Sequence, residues 1–187
     1  MPELSNVNVL ILASDGFEQS ELMEPLTKLR EAGCTVHVAT PDGGSIKGWD
    51  ENDWGESVDG DLKIEDVKVE DYLALVLPGG QINPDVLRVN GTAVQVVRDF
   101  VAADKIVAAI CHAPWLLIEA GVAEGREMTS YKSIRTDLKN AGADVVDKEV
   151  AVSNGIITSR DPNDLPAFID KIKEELREGE HKRNLAA

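Results

Sequence analysis

The sequence predicts an open, doubly wound α/β domain, a mostly parallel sheet with helices on both faces. Two observations predict it. Short apolar runs of strand length alternate with helical stretches along the chain. The runs are apolar nearly throughout, as strands buried on both faces are.

The elements follow in order. VNVLILA, residues 7–13, is a buried strand. After SDGFE, a helix is predicted from about Gln19 to Ala32, stopped by Gly33. Thr35–Thr40, TVHVAT, is a second strand. Residues 41–61, rich in Gly, Asp and Trp, read as loop or short hairpin. YLALVLPGG is a buried strand running into a glycine turn, and a helix follows over roughly Thr92–Ala103. KIVAAI leads as a strand into Cys111, and Pro114–Ala120 is helical. A short strand near Met128 and a helix around Ile134–Asn140 come next. VVDKEVAVSNGIITSR reads as a hairpin turning at Asn154-Gly155. DPNDLPAFIDKIKEELREG is a capped amphipathic helix, and residues 180–187 are expected to form a frayed tail.

With 187 residues and 43% hydrophobic content, the chain fits a single domain, residues 1–187. Nineteen basic residues against 34 acidic ones give a net charge of −15, which repels phosphate backbones. Nucleic acid as an obligate partner is therefore not expected. No apolar run approaches the roughly 20 residues that span a bilayer, so no membrane association is expected. The N-terminus shows no signal-peptide pattern, and the two cysteines are far apart in sequence. These features predict a cytoplasmic protein with reduced thiols.

In doubly wound sheets, ligands bind beyond the carboxyl ends of the strands. Three predicted strands end in unusual residues: Ser14-Asp15-Gly16-Phe17-Glu18, Pro78-Gly79-Gly80 and Cys111-His112. All three loops should share one edge of the sheet. Cys111, at a sharp strand-to-helix turn, would feel the helix dipole and free amides that stabilise a thiolate. The alternative is an inert buried cysteine, and the strand-end position beside His112 favours the functional reading. Cys34 reads as a small core residue.

His112 is the natural base, since His37 lies in a strand and His181 in the tail. The alternative is a histidine that merely caps the helix start. A histidine base usually needs a third group to fix its tautomer. Glu18 is either a protonated tuner of the thiol or a solvated acid at a helix N-terminus, and spacing leaves both open. Gly79 and Gly80, with the amide after Cys111, form a candidate oxyanion hole. Trp49, Trp54 and Trp115 line a pocket or interface or are simple packing residues. No G-x-G-x-x-G, phosphate-binding lysine loop or zinc spacing is present, so no cofactor and no metal are expected.

The stretches LILASDGFEQSEL, LALVLPGG, VAAICHAPWLLIEAGV and MTSYKSIRTDLKNAGA together closely resemble the PfpI-like branch of the ThiJ/PfpI superfamily, from about Val7 to Leu176. The resemblance implies a flavodoxin-like sandwich related to class I glutamine amidotransferases. It implies a nucleophile at Cys111, an adjacent histidine at His112 and an acid at Glu18. It implies an oxyanion hole from His112 and Gly80, and a third triad member just after P-G-G, given by a neighbouring subunit. Here that acid is Asp85, an aspartate where the archetypal protease has a glutamate, in a loop one residue longer. A homo-oligomer, dimer or hexamer, follows from that arrangement.

The resemblance also supplies the functional expectation, a cysteine-dependent enzyme of stress defence. Its substrates would be reactive dicarbonyls such as methylglyoxal and glyoxal, or their protein adducts. An intracellular cysteine peptidase acting on peptides is the second reading. A redox sensor or chaperone using Cys111 is the third. An amidotransferase is disfavoured, because its histidine lies well downstream of the cysteine.

Overall fold

The structure is a computed structural model that describes residues 4–179. The expected tail, 180–187, and with it His181, lies outside the described residues.

The strands in chain order are β1 (Asn8–Leu12), β2 (Phe17–Glu18), β3 (Thr35–Thr40), β4 (Ile46–Asp50), β5 (Asp53–Val58) and β6 (Leu62–Lys63). They continue as β7 (Ala74–Leu77), β8 (Ile106–Ile110), β9 (Glu127–Met128), β10 (Asp144–Val145), β11 (Val150–Ser153) and β12 (Ile156–Ser159). The helices are α1 (Gln19–Glu31), α2 (Ile82–Arg88), α3 (Gly91–Ala102), α4 (Pro114–Glu119), α5 (Arg135–Asn140) and α6 (Leu165–Glu178).

The central sheet has the order β11-β12-β8-β7-β1-β3-β6 and is parallel except for the β11–β12 hairpin. Counting its five core strands in sequence, the order is 2-1-3-4-5, the flavodoxin-like arrangement. Strand order therefore reverses between β1 and β7.

Alternation along each strand divides the core into two layers. Val9 and Ile11 face Leu22, Leu26 and Leu29 of α1 and Phe168, Ile169 and Ile172 of α6. Leu10 and Leu12 face the other layer, with Val97 and Phe100 of α3 and Leu116 and Leu117 of α4. Each fully buried aliphatic side chain contributes about 1.5–3 kcal/mol relative to exposure, so this two-sided packing fixes the strand register.

Two turns show why the chain reverses where it does. Asn154 and Gly155 both have positive φ, 46° and 75°, which lets a two-residue turn follow the twist of β11 and β12. Asn90 caps α3, its Oδ1 accepting from the amides of Thr92 and Ala93. The region 41–61 contains a hairpin, β4–β5, joined to β2 as a separate three-stranded sheet. Trp49 and Trp54 meet edge to face across it at 5.4 Å. One element departs from the expected pattern. Residues just after P-G-G form helix α2, whose short INPDVLR stretch of about two turns carries a proline in its first turn.

Candidate active site

The site lies where β1, β7 and β8 end, beside the switch point in strand order. Cys111 follows β8 directly and has φ of 65°, a left-handed conformation rare for a residue with a Cβ. Three backbone bonds hold that strained elbow. The Cys111 amide donates to Ser159 O at 3.0 Å, the Ala113 amide to Ile110 O at 3.0 Å, and the Tyr131 amide to Cys111 O at 2.8 Å. The thiol is almost completely covered, with 6% exposure for the residue.

The turn also answers how adjacent residues meet. On a regular element Cys111 and His112 would point apart, yet Cys111 Sγ lies 3.1 Å from His112 Nδ1. Tyr131 stacks on the imidazole at 4.7 Å, and Trp115 packs against it edge to face at 5.3 Å. Burial lowers the pKa of His112, so the ring is neutral at pH 7 and able to accept a proton.

The acid beside the thiol is Glu21, which corrects the expectation of Glu18. Phe17 and Glu18 form β2 on the hairpin sheet, and strand alternation buries Phe17 while turning Glu18 outward. Glu18 accepts from Ser20 Oγ at 3.4 Å, and burial together with the charges of Asp50 and Glu51 raises its pKa. Glu21 sits on the inward stripe of α1 with Leu22, Pro25, Leu26 and Leu29 and is completely buried. Its Oε2 accepts the Gly79 amide at 2.8 Å, while Oε1 has no hydrogen-bond partner. Burial, and then the Glu18 charge, push the Glu21 carboxyl up to about 8, so it is protonated at neutral pH. Glu21 also acts on Cys111, whose thiol is raised first by burial and then by that carboxyl. The signal for Glu21 was present in sequence: a glutamate in register with the apolar face of a helix is an informative buried polar group.

The glycine turn divides its labour, which corrects part of the expected oxyanion hole. The Gly79 amide is already committed to Glu21, so it is not a free donor. The amides of Gly80 and His112 point at the sulfur and favour its thiolate, but burial and Glu21 outweigh them, so the resting group is the thiol rather than the expected stabilised thiolate. Both glycines are required sterically. A Cβ on Gly79 would lie 2.5 Å from Glu21 Oε2 and 2.7 Å from Cys111 Cβ. Gly80 has φ of 80°, and a Cβ there would come 2.6 Å from the Glu18 amide nitrogen.

Asn83, which no sequence motif marks, ties two of the loops together. Its Oδ1 accepts from the Ser14 amide at 2.7 Å, and its Nδ2 donates to Pro78 O at 2.9 Å and Gly79 O at 3.2 Å. Asp85, the expected third triad member, is exposed on α2, and within the chain it does not reach His112, whose Nε2 faces Ser133 Oγ at 3.1 Å. A cavity of about 390 Å³ is lined by Tyr131, Arg135, Asp147 and Arg160, and neither Cys111 nor His112 is among its walls. Cys34 is a buried free thiol in the core beneath α1, as expected. Among the described residues no three His, Cys, Asp or Glu side chains gather to hold a metal ion, and no helix is long and apolar enough to cross a membrane.

Comparison with known proteins agrees with this architecture. The chain is 43% identical to a deglycase of Thermococcus kodakarensis over 171 residues, covering 91% of this chain and 100% of the relative. It is 41% identical to YraA of Bacillus subtilis, provisionally named a cysteine protease, covering 86% of this chain and 92% of the relative. Among solved structures, Drosophila melanogaster DJ-1beta superposes with a TM-score of 0.83 at 32% identity, covering 91% of this chain and 90% of that one. The profile of the DJ-1/PfpI family matches residues 7–175, and the chain belongs to that family.

Proposed function

We propose that the protein is a cysteine-dependent enzyme of the deglycase and glyoxalase type. It acts on reactive dicarbonyls such as methylglyoxal, or on the adducts they form with proteins. One observation carries this reading: the Cys111 sulfur lies between a neutral histidine nitrogen at 3.1 Å and two inward amides, beside a buried, protonated Glu21. A related deglycase at 43% identity supports the substrate class.

The chemistry follows from those atoms. His112 Nδ1 takes the Cys111 proton, and the thiolate attacks the aldehyde carbon of methylglyoxal. The carbonyl π electrons move to oxygen, and as the sulfur's charge passes into the new C–S bond the amides of Gly80 and His112, the donors beside the sulfur, become available to the oxyanion. Glu21, already protonated and with its Oε1 unpaired, supplies a proton where the oxyanion forms and recovers one later. Transfer of the hydrogen from C1 to C2 converts the hemithioacetal into a thioester. Water then hydrolyses it to lactate and frees Cys111. The carbon skeleton is redistributed in oxidation state internally, so no external oxidant or reductant is consumed.

A peptidase is the second reading, favoured by the provisional cysteine-protease name of the 41% identical relative. The same thiolate and amides suit attack on a peptide carbonyl. We further propose a homo-oligomer in which α2 meets a second copy of the chain. Ile82 and Val86 on that helix and Val89 just after it leave large apolar side chains exposed, and Asp85 sits among them. Such a contact would place a partner's Asp85 near the site.

A purified-protein assay separates the readings, with methylglyoxal and casein as parallel substrates and Cys111→Ala as the control. Lactate formation that Cys111→Ala abolishes supports the dicarbonyl reading. Casein cleavage abolished by the same change, without dicarbonyl turnover, selects the peptidase.

A further inference from the structure

His112 has a partner on the ring nitrogen turned away from the thiol, and that partner is in its own chain. Nδ1 lies 3.1 Å from Cys111 Sγ, and Nε2 lies 3.1 Å from Ser133 Oγ. The ring is held flat between these contacts by Tyr131 against its face and Trp115 against its edge. Ser133 rides on a 3₁₀ turn, Lys132–Ile134, whose backbone is tethered to the elbow. The Tyr131 amide grips Cys111 O at 2.8 Å, and the Ile134 amide grips Tyr131 O at 3.1 Å. The serine hydroxyl is thus fixed relative to the sulfur through only a few covalent bonds and two backbone hydrogen bonds.

We infer that Ser133 is the positioning residue of His112, completing a line Cys111–His112–Ser133 within one chain. In the neutral ring the proton sits on Nε2 and is donated to Ser133 Oγ, which leaves the Nδ1 lone pair facing the thiol. When the S–H bond breaks, its electron pair stays on sulfur and the proton passes to Nδ1. Nε2–H then continues to donate to the same oxygen, so the imidazolium forms without loss of a hydrogen bond. A hydroxyl both donates and accepts, which lets Ser133 follow either state of the ring. It adds no charge, unlike the carboxylate that fixes a histidine in acid-containing triads. Nε2 is already engaged, so a partner subunit's carboxylate would have to share or displace the serine.

The titratable and charged groups around the ring come from three further elements. The Cys111 thiol and the Tyr131 phenol contact it directly. Lys132 adjoins Ser133 in the chain. Behind Trp115, Arg88 of α2 stacks at 5.0 Å and Asp137 of α5 accepts from Trp115 Nε1 at 2.9 Å. None of these contacts passes through the Ser133 hydroxyl, so its removal leaves them in place.

The assignment rests on the thiol reading given above, and its test is chosen to work without any substrate. Histidine resonances of the full-length protein are titrated by NMR for the wild type, Ser133→Ala and Ser133→Thr, with His37 as internal reference. Removing the acceptor of the charged ring lowers the His112 pKa by about half a unit to one unit in Ser133→Ala. Ser133→Thr restores the wild-type midpoint. The pH dependence of Cys111 alkylation by iodoacetamide shifts in the same sense. Where dicarbonyl turnover is present, Ser133→Ala lowers kcat about tenfold with KM changed less than twofold, and Ser133→Thr recovers most of it. An unchanged His112 midpoint in Ser133→Ala overturns the inference, as does a Ser133→Thr protein that behaves like the alanine variant. Absence of turnover in the wild type removes the enzymatic reading, and the titration alone then decides on Ser133.

Discussion

Glu21 reaches across from α1 to take the Gly79 amide at 2.8 Å, fastening the first helix to the turn that precedes the thiol. The bond leaves Oε1 unpaired and the carboxyl beside Cys111. Helix, glycine turn and nucleophile are therefore one unit, and changes to any of them should be felt in the others.

The most direct contrast is between two glutamates three residues apart. Glu21→Gln keeps the shape and an acceptor for the Gly79 amide but can no longer pass a proton. Its turnover of methylglyoxal should fall about 10²-fold or more, the size of a lost general acid–base group. Glu18→Gln, changed on the outward side of β2, should stay within about threefold. Steady-state kinetics of the two purified variants, side by side, check this.

The same carboxyl leaves a mark on stability. Its folded pKa, about 8, lies above its usual value of 4.5, so the native state holds the proton after the unfolded chain has released it. Protonation thus favours the fold, and the contribution is lost as pH rises from about 4.5 to 8. Glu21→Gln has no proton to lose there. Urea unfolding at pH 5 and pH 8.5 should show the variant improving relative to wild type at the higher pH, by up to a few kcal/mol. A wild type that instead improves relative to Glu21→Gln across this window would be the wrong sign for a raised carboxyl.

Gly79→Ala should disable the site through crowding. The new methyl would meet Glu21 Oε2 at 2.5 Å and Cys111 Cβ at 2.7 Å, in a region that cannot move without disturbing β8. Overpacking of this kind costs about 1–3 kcal/mol, and activity should fall below one per cent of wild type. Gly91→Ala is the control, because nothing lies within 4 Å of its Cβ position at the start of α3. It should be neutral or slightly stabilising, since alanine is the better helix former. Thermal melts and activity of both proteins read the difference.

Asn83→Ala should act at a distance. It strips the Ser14 amide and the Pro78 carbonyl of a buried partner, while the Gly79 carbonyl keeps the Glu18 amide. Unsatisfied buried groups cost about 1–3 kcal/mol each when water does not reach them. The variant should lose several kcal/mol in denaturant titration, and the freed turn should slow Cys111 alkylation along with turnover.

Much of this was legible from residues alone, and what was not has physical causes. The buried strands β7 and β8, and β1 after its first residue, stood out because parallel strands covered on both faces are apolar without interruption. The Asn154-Gly155 turn was legible because its positive φ values demand those residue types. The meeting of the three loops followed from strand direction. Helix α2 was hidden because seven residues with an internal proline give too short a period to register. Glu18 stands out in sequence because it ends the loop, whereas finding Glu21 requires knowing which face of α1 turns inward. Ser133 and Tyr131 come to His112 from 21 and 19 positions downstream through a tertiary contact, and no local pattern announces that. Asp85 stands on an exposed face, where a single chain's packing gives it no partner.

The central claim is that the Cys111 sulfur performs the chemistry from its place between His112 Nδ1 and the inward amides. The measurement that tests it most directly follows methylglyoxal consumption and lactate release by the wild type and Cys111→Ser at equal concentration. Serine preserves the elbow while replacing the nucleophile by a far weaker one. The account predicts lactate from the wild type and none above background from Cys111→Ser, with the fold unchanged by circular dichroism. Lactate formation at an undiminished rate in Cys111→Ser would contradict it.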